Sequence, residues 1–267
     1  MNTPKMLTLH DPNPGGYFYK EAIKTLRANI QFAGKRRKII VFTSVFMGEG
    51  KTDTTFHLAA EMAKLGKKVL FVDADIRNSQ MIRYFGLEGK LLGLSEYLSG
   101  QVADANEIIH PTNYKDLYMI LSGHYAPNSS ELLSDPTFGR FLKAAASVYD
   151  YVFIDTPPLG QVIDSAMVAQ FCDGAVIVIS EGSASYHAAQ DVKRQLQNSG
   201  VTILGAVLNR SEIGGSGHYG HYGKYGKYGK YGKYGKYGQY DKYDRSADAN
   251  AEEEQEEPVV EMPKEEV

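Results

Sequence analysis

The sequence predicts an α/β fold in which helices cover both faces of a mainly parallel sheet, followed by a C-terminal tail of different character. Between residues 38 and 210, short apolar segments alternate with segments of helical periodicity. This alternation is typical of parallel strands joined by crossover helices. Hydrophobic residues make up 43% of the 267 residues, which is enough to fill one buried core. In such a sheet, ligands bind beyond the carboxyl ends of the strands.

The strands are predicted from six short apolar segments that are rich in branched and aromatic side chains. In chain order they are residues 38–44, 68–72, 117–121, 151–154, 175–179 and 203–208. Helical periodicity predicts the connecting helices at residues 52–65, 135–148, 162–172 and 184–198. An amphipathic entry helix at residues 17–34, which ends at a glycine, precedes the first strand.

The N-terminal end of the chain differs from this domain. Residues 1–16 are polar and interrupted by proline, so we expect a flexible arm there and no leader peptide. No apolar run approaches the roughly 18 residues that a membrane span requires, so we expect no membrane insertion by the chain itself. A single cysteine, Cys172, excludes a scaffold built on disulfides and favours a reducing compartment.

The tail contains nine of the 19 tyrosines, at every third position from Tyr219 to Tyr243. Residues 214–243 are built on a repeat of glycine, a basic residue and tyrosine, and residues 215–243 carry a net charge of +5. Glycine at this density lowers helix and strand propensity, and the repeat lacks the proline of collagen, so we expect a solvated, disordered segment. Residues 244–267 carry a net charge of −8 and are expected to be disordered too.

A phosphate-binding motif follows the first strand. Residues 45–52, VFMGEGKT, lie between that strand and a helix, which is the context required of a Walker A loop. Gly48 and Gly50 allow backbone N–H groups to converge on phosphate oxygens. Lys51 reaches the β- and γ-phosphates, and the hydroxyl of Thr52 is suited to Mg²⁺. The usual first glycine of the motif is a valine here. The sequence therefore predicts a P-loop NTPase fold that binds a magnesium nucleotide.

Three aspartates are predicted at the same sheet edge as this loop. Asp73 and Asp75 lie at the end of the second strand, and Asp155 lies at the end of the fourth. Carboxylates beside a bound nucleotide can hold Mg²⁺ or accept a proton from an attacking hydroxyl. The alternative is that these aspartates only cap helices or turns.

Together these motifs resemble those of the bacterial tyrosine kinases. The chain combines the Walker A loop with LFVDADIR at 70–77, YVFIDTPP at 151–158, VLNR at 207–210 and a tyrosine cluster. It is most similar to the soluble CpsD/CapB type, which acts in capsular or exopolysaccharide synthesis. The resemblance covers about residues 17–243 and implies an ATP-dependent protein-tyrosine kinase whose domain spans residues 17–213.

The resemblance also implies roles for individual residues. The catalytic residues are Lys51, Asp73, Asp75 and Asp155. The nucleotide contacts are Gly48, Glu49, Gly50, Lys51, Thr52, Asp53, Asn209 and Arg210. The residues around Mg²⁺ are Thr52, Asp75 and Asp155. We favour Asp73 as the base toward the tyrosine hydroxyl, although the sequence alone leaves the roles of the aspartates open. Asp53 is either a favourable first-turn helix acid or a charge that weakens ATP binding.

The family's ExxRxxR helix motif, which joins subunits into a ring, is represented here by Glu21, Lys24 and Arg27. Lysine keeps the positive charge of arginine but lacks its bidentate geometry, which weakens the case for a ring. The alternative interpretation of this helix is an ordinary solvated charged surface.

A coil of about 25 residues spans roughly 25–30 Å, so a tail would reach a neighbour's site. The expected phosphorylation sites are Tyr219, Tyr222, Tyr225, Tyr228, Tyr231, Tyr234, Tyr237, Tyr240 and Tyr243.

The resemblance further implies two partners that no residue pattern shows. A transmembrane polysaccharide co-polymerase adaptor would activate the kinase and hold this cytoplasmic chain at the inner face of the membrane. A cognate phosphotyrosine phosphatase would reset the tail.

Two other functions fit parts of the sequence. A ParA/MinD-like partition or cell-division ATPase shares the fold, but that class carries an extra lysine early in its Walker A loop, where residues 45–47 are VFM. The tail also has the lysines and aromatic rings of a nucleic-acid-binding or scaffold segment. Its strict glycine spacing and the acidic end beyond it disfavour this interpretation, and we expect no nucleic-acid partner.

Overall fold

Six of the seven strands in the sheet are those that the sequence predicts. The computed structural model describes residues 4–89 and 91–211, so the predicted tail lies outside the described residues. The strands are β1 (Ile39–Ser44), β2 (Val69–Asp73), β3 (His110–Pro111), β4 (Leu117–Ile120), β5 (Tyr151–Asp155), β6 (Gly174–Ser180) and β7 (Ile203–Asn209). Their spatial order is β3-β4-β2-β5-β1-β6-β7. Only β3 runs antiparallel to its neighbour, which confirms the predicted mainly parallel α/β fold.

The long helices also lie close to where the sequence predicts them. The helices are α1 (Tyr17–Phe32), α2 (Lys51–Lys64), α3 (Met81–Tyr84), α4 (Leu94–Leu98), α5 (Ser129–Ser134), α6 (Pro136–Val148), α7 (Asp164–Ala169) and α8 (Tyr186–Asn198). Helices α3, α4 and α5 and strand β3 were not predicted, because two to six residues are too few to establish a period. Helix α7 is shorter than predicted. No helix in the described part of the chain is long and apolar enough to cross a membrane.

Two apolar layers fill the space between the sheet and its helices. Successive residues of a strand point to opposite faces, so β1 contributes to both layers. Val41 packs with Val72 and Ile154 on the face covered by α6, α7 and α8. Phe42 packs edge-to-face on Phe153, with ring centroids 5.6 Å apart, on the face covered by α1 and α2. Burial on both faces explains why β1, β2 and β5 are mostly apolar.

Residues 7–9 of the N-terminal arm, which the sequence predicts to be flexible, lie against the edge of the sheet. Leu7 and Leu9 are 2% and 3% exposed and pack in the same layer as α1 and α2. The N–H of Leu7 donates to the carbonyl of Pro111 at 2.8 Å, and the N–H of Asn113 donates to the carbonyl of Leu7 at 3.1 Å. Two alternating leucines and an edge strand with free backbone groups are enough to order this segment. The polarity of its other residues concealed that signal.

The sheet register brings the predicted acidic residues together. Asp73 at the end of β2 lies directly beside Asp155 at the end of β5, and Phe42 in β1 lies on the other side of Asp155. The loop between β1 and α2 emerges at this same edge. The carboxyl ends of three adjacent parallel strands therefore form one site.

Candidate functional site

The loop between β1 and α2 has the backbone conformation of a phosphate cradle. Gly48 and Gly50 have φ angles of 81° and 78°, which side chains rarely tolerate. Gly50 is the N-cap of α2, so the first N–H groups of this helix face the loop. A Cβ atom on Gly50 would lie 2.1 Å from Nδ2 of Asn209, whereas one on Gly48 would meet open space. Gly50 is thus required for two separate reasons.

Lys51, Thr52 and Asp155 form a hydrogen-bonded triangle at the start of α2. Nζ of Lys51 lies 2.5 Å from Oδ1 of Asp155, and the hydroxyl of Thr52 donates to Oδ2 of the same carboxylate at 2.6 Å. Lys51 is only 8% exposed and Asp155 only 2%. The lysine therefore compensates a buried negative charge at the mouth of the loop. Three of the predicted residues are brought together by direct contacts.

Asp73 is a buried carboxyl group whose pKa differs strongly from that of an ordinary aspartate. Burial, followed by the nearby negative charges of Asp155 and Asp75, raises the pKa of Asp73 to about 7, although a hydrogen bond from Ser79 opposes the shift. The N–H of Asp75 donates to Oδ1 of Asp73 at 3.2 Å, and the hydroxyl of Ser79 donates to Oδ2. A carboxyl group with this pKa can exchange a proton near neutral pH.

Asp75 is half-buried beside the same group. Burial raises its pKa, whereas the N–H of Asn78, which donates to it at 2.9 Å, and the charge of Lys51 act in the opposite direction. Asp75 is therefore the more accessible of the two aspartates, and Asp73 is the more strongly perturbed.

Glu49 lies within the loop, but its side chain binds the protein itself. Its carboxylate accepts the backbone N–H groups of Val45 and Phe46, each at 2.8 Å, and the hydroxyl of Ser183. Asn209, also predicted as a nucleotide contact, donates from Nδ2 to the carbonyl oxygen of Glu49 at 3.0 Å. These two residues are at the loop but act on its backbone.

Arg210 follows Asn209 at the end of β7. It is exposed, has a positive φ of 56°, and its N–H donates to Oδ1 of Asn209 at 2.9 Å. Its backbone therefore helps to orient the asparagine amide.

Asp53 was predicted to contact the nucleotide, which stays a prediction, and its side chain is engaged within the protein. Its carboxylate accepts the hydroxyl of Tyr19 at 2.8 Å and the hydroxyl of Tyr84, and it lies 3.7 Å from Nδ1 of His57. On its far side, His57 contacts Asp11 of the N-terminal arm at 3.0 Å. Although burial alone would raise the pKa of Asp53, the hydrogen bonds from His57 and the two tyrosines lower it. The side chain therefore fastens α2 to α1, α3 and the arm.

The predicted oligomerisation residues differ in how they are engaged. Glu21 and Lys24 form an exposed ion pair at 2.6 Å within α1. Arg27 instead contacts Glu61 of α2 at 3.3 Å and is 22% exposed. Two of the three side chains are thus on the surface, and the third is bound within the chain.

An ion pair between Arg77, in the loop after β2, and Asp164, at the start of α7, was not predicted from the sequence. Asp164 at the start of α7 is fully buried and accepts Nε of Arg77 at 2.7 Å. The hydroxyls of Ser129 and Ser130 donate to the same carboxylate at 2.9 and 2.7 Å. Arg77 lies two residues beyond Asp75, so this contact holds the aspartate loop against α5 and α7. The LFVDADIR motif marked the arginine, but no pattern pointed to its distant partner.

The donor set fits a magnesium nucleotide. Lys51 and the N–H groups at the start of α2 are suited to phosphate oxygens. The oxygens of Thr52, Asp75 and Asp155 are the hard ligands that Mg²⁺ prefers, and Mg²⁺ commonly takes only one or two carboxylates beside the phosphates. In the structure, Lys51 forms an ion pair with the carboxylate of Asp155.

Comparisons with known proteins agree with this geometry. The AAA domain family matches residues 37–200. Tyrosine-protein kinase CpsD of Streptococcus agalactiae is 42% identical over 191 residues, which is 72% of this chain and 83% of that protein. The kinase domain of Escherichia coli tyrosine kinase ETK is 32% identical with a TM-score of 0.67, over 75% of this chain and 80% of that one.

A second fold relative is not named as a kinase. The septum site-determining protein MinD from Pyrococcus horikoshii OT3, in complex with Mg-ADP, is 25% identical with a TM-score of 0.56, over 66% of this chain and 72% of that one. Sequence identity and structural similarity are both higher for the kinases. The chain therefore belongs to the bacterial tyrosine-protein kinases of the CpsD type.

Proposed function

We propose that this kinase transfers the γ-phosphoryl group of ATP to the tyrosines of its own residues 219–243 and thereby regulates capsular or extracellular polysaccharide synthesis and export. The observation that carries the proposal is the contact of Lys51 and Thr52 with Asp155, with Asp73 beside it in the sheet. A nucleotide-binding loop, a metal-ligand set and a base thus lie at one edge.

Nucleotide binding is assigned to the loop and the start of α2. Lys51 would turn from Asp155 toward the β- and γ-phosphates, and Thr52, Asp75 and Asp155 would hold the metal. Mg²⁺, when bound, supplies positive charge that neutralises the phosphates and the developing charge. The Mg-ADP complex of the related MinD supports this choice of cofactor. Backbone N–H groups of the loop, rather than the side chains of Glu49 or Asp53, contact the phosphates.

Asp73 is proposed as the base. The tyrosine oxygen forms a bond to the γ-phosphorus, the bond from that phosphorus to the β–γ bridging oxygen breaks, and ADP leaves. The phenolic proton passes to the carboxylate of Asp73. Its pKa of about 7 supports this role, because a base is most effective when its pKa lies near the working pH. Lys51 stabilises the negative charge on the transferred group.

The acceptor tyrosines are proposed to belong to a neighbouring subunit in a homo-oligomeric ring. Exposed Glu21 and Lys24 on α1 are available for such an interface, while Arg27 would have to exchange its contact with Glu61. Each phosphate adds about −1.5 to −2 at pH 7, so three already cancel the +5 charge of residues 215–243. Unmodified tails would favour association and phosphorylated tails would release the ring.

Partners and location complete the proposal. A membrane-spanning polysaccharide co-polymerase would activate the kinase at the inner face of the membrane, and a phosphotyrosine phosphatase would reverse the modification. The names of relatives from polysaccharide loci, such as the putative tyrosine-protein kinase in the cps region of Klebsiella pneumoniae, support this setting. The boundary between a kinase domain at 17–213 and the tail at 214–243 is part of the same proposal.

Incubation with Mg-ATP followed by intact-mass analysis tests the activity. We expect mass added in steps of about 80 Da that peptide mapping places on residues 219–243. Lys51→Met should abolish the added mass. The control is Lys64→Met, which replaces an exposed lysine at the other end of α2 and should leave the added mass unchanged. Formation of ADP without added mass would instead support a MinD-like ATPase.

Transfer between subunits needs a separate experiment. A kinase in which all nine tail tyrosines are phenylalanine is mixed with a Lys51→Met chain that retains its tail. Phosphate on the Lys51→Met chain demonstrates transfer in trans, and its absence contradicts this part of the proposal. Size-exclusion mass measurements of active and Lys51→Met protein test whether phosphorylation dissociates the ring.

A further inference from the structure

Glu49 is a buried acid inside the phosphate loop, where a second negative charge opposes phosphate binding. It lies between Gly48 and Gly50 and is only 2% exposed. A buried carboxylate is costly unless hydrogen bonds or a counter-charge compensate it. Among the residues that the structure describes, no ion pair involves Glu49. Its compensation therefore comes from neutral donors.

Both carboxylate oxygens of Glu49 are occupied by such donors. Oε2 accepts the N–H groups of Val45 and Phe46, each at 2.8 Å, which closes the loop onto its own beginning. Oε1 accepts the hydroxyl of Ser183, just beyond β6, and lies 3.4 Å from the backbone nitrogen of Ser180, the last residue of β6. One side chain thus connects the loop to itself and to the neighbouring strand.

The backbone of Glu49 is fixed from a third direction. Its carbonyl oxygen accepts Nδ2 of Asn209, at the end of β7, at 3.0 Å. The same amide lies so close to Gly50 that only glycine fits there. The loop is therefore held by contacts to the ends of β6 and β7, as well as by its continuation from β1.

We propose that Glu49 is a positioning residue for nucleotide binding. Its carboxylate binds the first two N–H groups of the loop, so that the following N–H groups, up to the start of α2, face the phosphates before the nucleotide arrives. It does not itself touch phosphate, because its oxygens are committed to donors. This inference rests on the proposed ATP site and adds the residue that shapes it.

Glu49→Gln tests the proposal because it preserves size but not acceptor capacity. A glutamine side chain has one acceptor oxygen and one NH₂ group, so the NH₂ group must face the donors that now bind one of the two carboxylate oxygens. Those donors then have no acceptor. We expect the Kd for the Mg²⁺ complex of adenylyl imidodiphosphate and the KM for ATP to rise about tenfold, as for the loss of one charge-assisted hydrogen bond. The kcat at saturating ATP should stay within about twofold of wild type, because the residue does not contact the reacting atoms.

Controls separate loop shape from general stability. Glu88→Gln, an exposed glutamate away from the loop, should bind like wild type. Ser183→Ala, at an exposed position, removes the hydroxyl that donates to Oε1 of Glu49 and should raise the Kd about threefold. Adding Ser183→Ala to Glu49→Gln should not raise the Kd further. The urea midpoint of each nucleotide-free variant is measured in parallel.

The outcomes are distinct. Wild-type affinity in both Glu49→Gln and Ser183→Ala would overturn the inference. Equal losses in kcat and in kcat/KM, with KM unchanged, would overturn it in favour of a role in the chemical step. If the wild-type chain itself fails to bind the probe, the proposed nucleotide function is wrong and this inference falls with it.

Discussion

Alanine at Gly50 should destabilise the protein much more than alanine at Gly48, although the two residues have nearly the same backbone conformation. Their φ angles are 78° and 81°, so the strain from a Cβ atom at a positive φ is common to both. That strain costs about 1–2 kcal/mol. The difference between them is the neighbour: a Cβ on Gly50 lies 2.1 Å from Nδ2 of Asn209, whereas nothing lies within 4 Å of one on Gly48.

The magnitude follows from that contact. A carbon and a nitrogen need well over 3 Å between them, so either the loop or the amide must move by more than about 1 Å, which breaks the hydrogen bond from Asn209 to Glu49. We expect Gly48→Ala to lower the free energy of unfolding by about 1–2 kcal/mol and Gly50→Ala by about 3–4 kcal/mol.

Urea unfolding of the nucleotide-free protein measures both costs. Asn209→Ala alone should cost about 1 kcal/mol for the lost hydrogen bond. In combination with Gly50→Ala it should remove the clash, leaving a cost of about 2–3 kcal/mol from the strain seen with Gly48→Ala and the lost hydrogen bond. Equal costs for the two glycines, or a double variant no more stable than Gly50→Ala, would refute the close approach of β7 to the loop.

Three further substitutions test other contacts. Asp73→Asn should abolish tail phosphorylation. In the folded protein the pKa of Asp73 is about 7, above its value in the unfolded chain, so unfolding releases a proton between pH 4 and 7. The free energy of unfolding of the wild type, measured by urea titration, should therefore fall over this range by about 3–4 kcal/mol more than that of Asp73→Asn. Tyr84→Phe removes a donor to Asp53 and should lower unfolding free energy by about 1–2 kcal/mol; an unchanged urea midpoint would contradict this. Burial lowers the pKa of His57, but hydrogen bonds to two aspartates raise it above its usual value. The stability advantage of wild type over His57→Gln should therefore be present below pH 6.5 and disappear as pH rises through the folded pKa, and pH-independent differences would exclude this ion pair.

The sequence predicted those parts of the site that depend on local pattern. The strands β1, β2 and β5 are continuous apolar runs, and each motif follows its strand directly, so the topology of a parallel sheet was enough to place Lys51, Asp73 and Asp155 at one edge. The register that sets Asp73 beside Asp155 then follows from the pairing of β2 with β5. Backbone periodicity and chain order carry this information.

The parts that the sequence did not predict depend on partners distant along the chain. Asp53 has the position of a nucleotide contact, but Tyr19 and Tyr84, which lie 34 and 31 residues away, bind its carboxylate in the fold. Helix periodicity gives the direction of Asp53 on α2 but not which element covers that face. The same limit applies to Arg77 and Asp164, which are 87 residues apart. Polar partnerships of this kind require the assembled fold.

The three buried acids of the site, Glu49, Asp73 and Asp155, have their negative charges compensated in three different ways. Glu49 is compensated by neutral donors, which in our proposal stay in place when a nucleotide binds. The negative charge of Asp73 is avoided by a proton that is lost near pH 7, and the carboxylate so formed is the base of our proposal. Asp155 is compensated by Lys51 and Thr52, the two residues that turn to the phosphate and the metal in our proposal. In that proposal only Asp155, of the three, has partners that leave when the nucleotide enters, and a cation would then replace the lysine's charge. The identity of each acid's compensating partner therefore determines its role.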